Sequence, residues 1–96
     1  MFEDTMREHR RLAILRHLEA CTDYTSNGSI LIDICRGVGV PTSHDQLRTE
    51  LAWLKEQGLA TLADHGDFHV ATATRRGVEA ALGQAVTPGV KRPSAD

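Results

Sequence analysis

Cysteine, proline and aromatic residues are scarce in this chain of 96 residues, and each scarcity narrows what the protein can be. Two cysteines cannot form a disulfide framework, and because Cys21 and Cys35 both lie in apolar-periodic segments we expect reduced core thiols. Four aromatic residues are too few for a platform that stacks single-stranded bases. Two of the three prolines lie in the last stretch, AVTPGVKRPSAD, which has no periodicity and is expected to be an extended or disordered tail.

Long apolar runs are also absent. No run approaches the roughly 20 residues that a helix needs to cross a bilayer. The N-terminus, MFEDTMREHRR, is polar and mixed in charge, unlike a signal peptide. We therefore expect a cytoplasmic protein without a membrane partner.

No motif for catalysis is present. The chain has no nucleophile elbow, phosphate-binding loop or carboxylate dyad, so we expect neither an enzyme nor a bound cofactor. His17 and Cys21 are spaced i,i+4, which can present two ligands to one metal ion. Cys35, His65 or His69 could join them only if the fold brings them close, and no C-x-x-C or H-x-x-x-H pair exists. We therefore expect no metal site.

Apolar periodicity predicts two helices in the first part of the chain. The first covers residues 5–21, with Thr5 and Glu8 in capping-box spacing. TDYTSNGS, residues 22–29, has the composition of a loop. A second helix runs from about residue 29 to 38. The β-branched residues of ILIDIC also permit a strand, but i,i+4 apolar pairs favour the helix.

A third helix follows a turn that contains Gly37 and Gly39. Ser43 and Gln46 have the S-x-x-Q spacing of a second capping box. Trp53 lies between the inward and outward faces, where it can either close the core against the following hairpin or contribute to a dimer contact. The inward stripe of this helix consists of Leu47, Leu51 and Leu54.

The period then changes from helical to strand-like. LATLA and FHVAT alternate in polarity and flank the Gly-containing turn DHGD, which predicts a short β-hairpin. Thr74 caps a last helix, TRRGVEAALGQ. Its expected inward residues are Val78, Ala81 and Leu82.

This order of three helices, a hairpin and a helix resembles the winged-helix arrangement. HRRLAILRHLEA resembles the first helix of that family, and LRTELAWLKEQGLA resembles its second turn helix and the run into the wing. ATATRRGVEAA resembles the step by which many bacterial winged-helix regulators leave the wing. These stretches cover about residues 8–82. The resemblance implies a mainly α fold with a small antiparallel β-hairpin. It implies a winged helix-turn-helix domain over residues 1–84 and an extended or disordered basic tail over residues 85–96.

The whole chain also resembles small proteins of Mu-like bacteriophages and prophages, which are described as winged-helix or ArsR-like transcriptional regulators. That resemblance implies a phage or prophage regulator in the bacterial cytoplasm that binds double-stranded DNA through its third helix. It also implies a homodimer formed through the first and last helices. The paired-cysteine metal motif of ArsR-type sensors is absent from DQLRTELAWL, so metal sensing is not implied.

The start of the third helix is where this fold usually contacts bases. Arg48 is the best candidate for a guanine contact, and His44 and Thr49 can reach bases or phosphates. Basic side chains in the last segment can neutralise phosphates. The predicted DNA-binding set is Ser43, His44, Gln46, Arg48, Thr49, Arg75, Arg76, Lys91 and Arg92.

The charge pattern favours a rival interpretation. The net charge of −2 gives no overall attraction to nucleic acid. Residues 43–58 carry two basic side chains against three acidic ones, Asp45, Glu50 and Glu56. The hairpin tip, Asp64 to Asp67, carries two acids and no Lys or Arg, although a wing that contacts phosphates is normally basic. The same fold can instead serve as a module that binds another phage protein, such as an assembly or DNA-packaging accessory.

Overall fold

The computed structural model describes residues 2–66 and 68–94, except for the side chain of Phe68. These residues form four α-helices and a three-stranded antiparallel sheet, so the fold is mixed α/β. No helix in the described part of the chain is long and apolar enough to cross a membrane. The elements are α1 (Phe2–Ala20), β1 (Thr25–Asn27), α2 (Gly28–Gly37), α3 (His44–Glu56), β2 (Ala60–His65), β3 (Phe68–Ala73) and α4 (Arg75–Ala81).

The sheet has one strand more than the sequence predicts. β1 lies inside the stretch 22–29 that was expected to be a loop, and it pairs with β3 in the strand order β1-β3-β2. Thr25 faces Thr72 across this ladder, with their hydroxyl oxygens 2.8 Å apart. The strand TSN has no apolar alternation from which it could be predicted. Its pairing is set by the free edge of β3 rather than by its own composition. β1 therefore ties the start of α2 to the hairpin.

The first two helices begin earlier than predicted. α1 begins at Phe2, so Thr5 lies inside the helix rather than at its cap. Glu3 and Asp4 occupy the first turn, where their charges interact favourably with the helix dipole. α2 is helical, as the apolar pairs of ILIDIC predict. Its cap is Asn27, whose side-chain oxygen accepts a 2.9 Å hydrogen bond from an amide of the first turn.

The predicted caps of the last two helices are confirmed. Ser43 Oγ accepts a hydrogen bond from the Gln46 amide at 3.1 Å, and Gln46 Oε1 accepts one from the Ser43 amide at 2.9 Å. Thr74 Oγ1 accepts a hydrogen bond from the Gly77 amide and donates one to the Gly58 carbonyl at 2.7 Å. Thr74 thereby joins the start of α4 to the end of α3.

α4 is shorter than predicted, and the prediction that Leu82 points inward is wrong. The helix ends at Ala81, and the chain turns away at Gly83, whose φ is +76°. Leu82 is therefore 49% exposed. Gly77 lies against the carbonyl of Leu59, where any Cβ would clash, so α4 can approach the start of β2 this closely only with glycine here.

The core is aliphatic and receives side chains from all four helices and from β2 and β3. The inward stripe predicted for the third helix is confirmed, because Leu47, Leu51 and Leu54 are all buried. This stripe fixes which side of α3 faces outward. The largest fully buried apolar side chains are Ile14, Leu15, Leu18, Leu31, Leu51, Leu54 and Leu59.

A buried ion cluster joins α1 to α3. Glu50 is only 1% exposed, and its carboxylate accepts hydrogen bonds from Arg7 Nε at 2.9 Å and Arg11 Nε at 2.8 Å. Arg10 Nη1 lies 3.7 Å from the same carboxylate, and both Arg10 and Arg11 are buried. The hydrogen bond to Glu50 raises the pKa of Arg7 above its ordinary value. Within the described residues, no buried side-chain nitrogen or oxygen lacks a hydrogen-bond partner.

The turn between α2 and α3 is fixed by arginines from both sides. Arg10 donates through Nε to Thr42 Oγ1 at 3.0 Å and through Nη2 to the Pro41 carbonyl at 2.9 Å. Arg36, at the end of α2, donates to the Thr42 carbonyl at 3.1 Å. Thr42 Oγ1 in turn donates to the Val40 carbonyl. These contacts determine where α3 begins relative to α1.

Residues 85–94 contain no helix or strand, but they pack against the domain instead of extending away from it. The Gly89 carbonyl accepts a hydrogen bond from Arg11 Nη1 at 2.8 Å, and the Lys91 amide donates to a carbonyl of α1 at 3.2 Å. The Arg11 guanidinium lies 3.8 Å from the centre of the Trp53 ring. A Cβ on Gly89, whose φ is +92°, would come within 2.6 Å of that ring. Trp53 therefore closes the core against α1 and this segment.

The substitution Glu50→Gln should lower the free energy of unfolding by about 3–5 kcal/mol, because it leaves buried arginines without their counter-charge. Urea unfolding followed by circular dichroism measures this change. Glu56→Gln removes an exposed carboxylate from the same helix and should change the free energy by less than about 0.5 kcal/mol. Similar effects of the two variants would contradict the importance of the buried cluster.

Candidate nucleic-acid interface

The start of α3 presents a continuous exposed face. Ser43 and Gln46 are engaged with each other in the capping box, which leaves the hydroxyl hydrogen of Ser43 and the Nε2 group of Gln46 as donors available to a ligand. The buried leucine stripe and the fixed turn set the direction of this face. All five residues predicted here are exposed: Ser43, His44, Gln46, Arg48 and Thr49.

The exposed charges of α3 balance. Arg48 lies 3.9 Å from Asp45, and both side chains are largely exposed, so this ion pair is weak. Lys55 and Glu56 add one exposed charge of each sign. Glu50 counts among the acids of this helix in the sequence, but it is buried against α1 and contributes nothing to the outward face. The face is therefore neutral rather than acidic.

A shallow groove of about 180 Å³ separates α3 from the hairpin. Arg48 and Lys55 line one wall, and Asp64 and His69 line the other. His69 Nδ1 and Asp64 Oδ1 are hydrogen-bonded, so the acid on the hairpin wall of the groove has a partner of its own. Of the two acids predicted at the hairpin tip, Asp64 is exposed and Asp67 lies outside the described residues. Lys55 and His69 line the same groove as Arg48, although neither is in the predicted set.

Arg75 and Arg76 lie near the other end of α3. Arg76 Nη1 donates to the Gln57 carbonyl at 2.9 Å, directly after the helix. Arg75 is exposed and lies 3.7 Å from Glu79 on the next turn of α4. The 13 residues of α3, about 20 Å of helix, separate this end from Ser43. The structure does not bring these two arginines to the start of α3.

Lys91 and Arg92 are exposed on yet another side of the molecule. The Lys91 amide is bonded to α1, and Trp53, which contacts the same segment, lies on the flank of α3 next to α1. Arg48 lies on the opposite flank, next to the hairpin. The predicted basic residues therefore form three separate groups, and only the α3 group is a compact face.

His17 on α1 and Cys21, which directly follows the helix, are in contact. Cys21 Sγ lies 3.3 Å from His17 Nε2, and the same nitrogen lies 3.3 Å from Ser26 Oγ. Cys35 is buried elsewhere in the core, and this burial raises the pKa of its thiol. Across residues 2–66 and 68–94, no group of three or more His, Cys, Asp or Glu side chains lies close enough to hold a metal ion.

These features define a small mixed α/β protein whose third helix presents an exposed face of balanced charge. The chain is 43% identical to gp26 of Escherichia phage Mu, an uncharacterized protein, over 93 residues that cover 97% of this chain and 96% of gp26. It therefore belongs to the same family as gp26.

A second relative is an uncharacterized protein of Haemophilus influenzae, 38% identical over 76 residues that cover 78% of this chain and 74% of that protein. The expected relationship to a protein of a Mu-like phage is thus confirmed. No protein-family model and no solved structure matches the chain, so membership of the winged-helix family stays a prediction.

The two cysteines should differ strongly in thiol reactivity. Cys35 is fully buried with a raised pKa, so at about pH 8 a disulfide reagent such as DTNB should modify it only on unfolding. Cys21 is partly exposed and should react in the folded protein. Mass spectrometry after timed labelling distinguishes the two sites, and labelling in urea provides the fully reactive control. Faster labelling of Cys35 than of Cys21 in the folded protein would contradict this assignment.

Proposed function

We propose that this protein is a winged-helix DNA-binding protein that regulates phage or prophage transcription. In this proposal α2 and α3 are the helix-turn-helix, and β2 and β3 are the wing. The outward face of α3 enters the major groove of duplex DNA. Kinship with gp26 supports the phage setting, and the proposal of DNA binding rests on the residues of this chain alone.

The observation that carries the proposal is the exposed and firmly positioned start of α3. The first-turn amides of a capped helix attract phosphate oxygens. Arg10 and Arg36 fix the turn that precedes the helix, and Glu50 anchors its middle to α1. Reading base edges needs such fixed placement, because a side chain must meet its partner within hydrogen-bond distance.

The residues of this face divide into two kinds of contact. Arg48 suits the O6 and N7 atoms of guanine, which Arg binds through two parallel hydrogen bonds. Ser43 and the helix amides suit a phosphate, and the remaining side chains, His44, Gln46 and Thr49, suit either. Two pairs on different parts of the surface are proposed as phosphate contacts outside the groove: Arg75 with Arg76, and Lys91 with Arg92.

Arg48→Ala should weaken binding to a preferred DNA site by about 1–3 kcal/mol and relax base preference there, because a bidentate base contact is lost. Fluorescence anisotropy with a preferred and a scrambled duplex measures both effects. Arg48→Lys keeps the positive charge but not the paired guanidinium donors. It should lose the base preference while retaining nonspecific affinity for DNA. Unchanged affinity and preference in Arg48→Ala would remove Arg48 from the interface.

Joint loss of Lys91 and Arg92 should weaken binding to all DNA sequences alike and flatten the salt dependence of the affinity.

Asp45→Asn should strengthen DNA binding, because it removes a carboxylate that repels phosphate and releases Arg48 from an ion pair. The expected gain is severalfold at about 50 mM salt and smaller at about 200 mM. Asp33→Asn makes the same charge change on the exposed side of α2 and is the matched control. If both variants gain equally, the effect reflects net charge, and α3 is not the contact surface.

A second candidate function is a protein-interaction module, for instance a phage assembly or DNA-packaging accessory. The balanced charge of the α3 face and the exposed Asp64 at the hairpin favour it, because neither feature attracts phosphate. In that case the groove between α3 and the hairpin would receive a side chain of another phage protein.

Anisotropy titrations with random duplex DNA and with the DNA upstream of its own coding sequence, from about 50 to 200 mM salt, separate the two functions. A regulator should bind both at low salt, with a steep salt dependence, and should prefer the upstream sequence. Folded protein that fails to bind either duplex at about 50 mM salt would exclude the regulator and leave the interaction module.

A further inference from the structure

α1 and α2 run antiparallel, and a groove of about 470 Å³ lies between them. Two contacts show their direction. Arg10 reaches the turn after α2, whereas His17, two turns further along α1, lies 3.3 Å from Ser26, just before α2. Apolar and basic side chains line the groove, namely Leu12, Ala13, Ile34, Val38 and Val40 with His9, Arg16 and His17. These residues come from α1 and from the stretch 34–40, so the groove is separate from the outward face of α3.

The wall formed by α2 is an apolar ridge that solvent reaches. Ile30, Ile34 and Val38 are spaced i, i+4 and i+8, so they follow one side of α2 over about 12 Å. Ile30 is 45% exposed, and Val38 is 62% exposed. Single exposed apolar side chains are ordinary, but a row of them beside a groove is typical of a contact surface.

The wall formed by α1 carries positive charge. His9, Ala13 and Arg16 are spaced i, i+4 and i+7 and therefore share one side of the helix. His9 and Arg16 are exposed and lie about 10 Å apart along the helix axis. The ring of His17 lies at the end of this wall, where its Nε2 contacts Cys21 Sγ at 3.3 Å. Arg16 has a full charge, and each histidine gains one when it is protonated.

The carboxylates of both helices lie outside the groove. Glu3 lines a different pocket, on the side of α1 that faces α3. The other carboxylates are turned by about 100° or more from Ala13 or Ile34, the groove residue of their own helix. They are Asp4, Glu8, Glu19 and Asp33. The ionisable side chains that line the groove are therefore all basic, which favours an acidic occupant.

We propose that this groove is a docking site for an acidic amphipathic helix of another protein. A helix that enters such a groove presents apolar side chains at i, i+3 or i+4 and i+7. Those side chains pack along the ridge of α2, and the carboxylates beside them lie next to His9 and Arg16 of α1. The two walls run side by side, so together they determine which side of the partner helix faces α1.

The same charges disfavour a second copy of this chain in the groove. A symmetric contact there would use the same surface from both copies and bring the basic wall of one close to that of the other. Like charges placed across a contact weaken it. A small lipophilic acid carries one carboxylate, which would match one basic side chain of the wall and leave the others unmatched.

Fluorescence anisotropy with a designed peptide tests the site. The probe has about 14 residues, or about 21 Å of helix, with leucines at i, i+4 and i+7 flanked by glutamates. It should bind the full chain at least tenfold more tightly than the same peptide with lysine in place of glutamate. The net charge of −2 favours the lysine peptide, so it cannot produce this preference. Equal affinities, or no saturable binding at about 500 μM protein, would overturn the proposal.

Two variants with matched controls locate the binding. Val38→Asp places a carboxylate on the ridge and should weaken binding of the glutamate peptide at least tenfold. Val86→Asp alters a side chain that is 69% exposed on the segment after α4 and should leave it unchanged. Arg16→Glu should reverse the preference between the two peptides, whereas Arg75→Glu, the same charge change at the exposed start of α4, should retain it. Equal effects of either variant and its control would exclude the groove.

The alternative occupants give different results. The proposal expects the unbound chain to sediment as a monomer of 10.5 kDa that binds one peptide. A dimer that dissociates in Val38→Asp would assign the groove to a second copy instead. Tighter binding of decanoate than of the glutamate peptide would assign it to a lipophilic acid. None of these measurements uses DNA, so failure here leaves the DNA-binding proposal untouched.

Discussion

The contact between Glu50 and the arginines of α1 is the interaction on which the remaining structure depends. Burying one carboxylate among three guanidinium groups leaves a surplus of positive charge, and such a surplus is costly unless every donor finds an acceptor. The surplus donors of Arg10 reach the turn before α3, and those of Arg11 reach the Gly89 carbonyl and the Trp53 ring. One cluster thus fixes α1, α3, the turn and the C-terminal segment relative to one another.

This cluster also changes the electrostatic character of the surface. Arg10 and Arg11 make up half of the arginines of α1, yet they are unavailable to any partner because they are buried. Removing Glu50 from the outward charges of α3 turns an apparently acidic helix into a neutral one. Counting charges along the sequence therefore underestimates how well the α3 face could accept a phosphate backbone, and overestimates how basic the first helix is.

Local signals in the sequence predicted most of the helical framework. The caps at Ser43 and Thr74 and the leucine stripe depend only on neighbouring residues, and all are confirmed. Burial of Glu50 could have been predicted too, because it is i+3 from Leu47 and i−4 from Leu54, on the inward stripe. β1 and the docking of Gly89 on Trp53 could not, because each is set by a surface distant in sequence. The same holds for the division of the predicted DNA-binding residues into three groups.

The arrangement of α1 separates two surfaces of the domain. Arg7 and Arg11 point toward α3, whereas Phe2, His9 and Ala13 lie on a different side of the same helix, as their spacing along α1 requires. α1 therefore holds α3 in place through one side, while its other side borders the groove between α1 and α2. That groove and the groove between α3 and the hairpin share no lining residue, so a ligand in one would leave the other open. The direction in which the α3 face points follows from the packing of α1, through the ion cluster that orients α3.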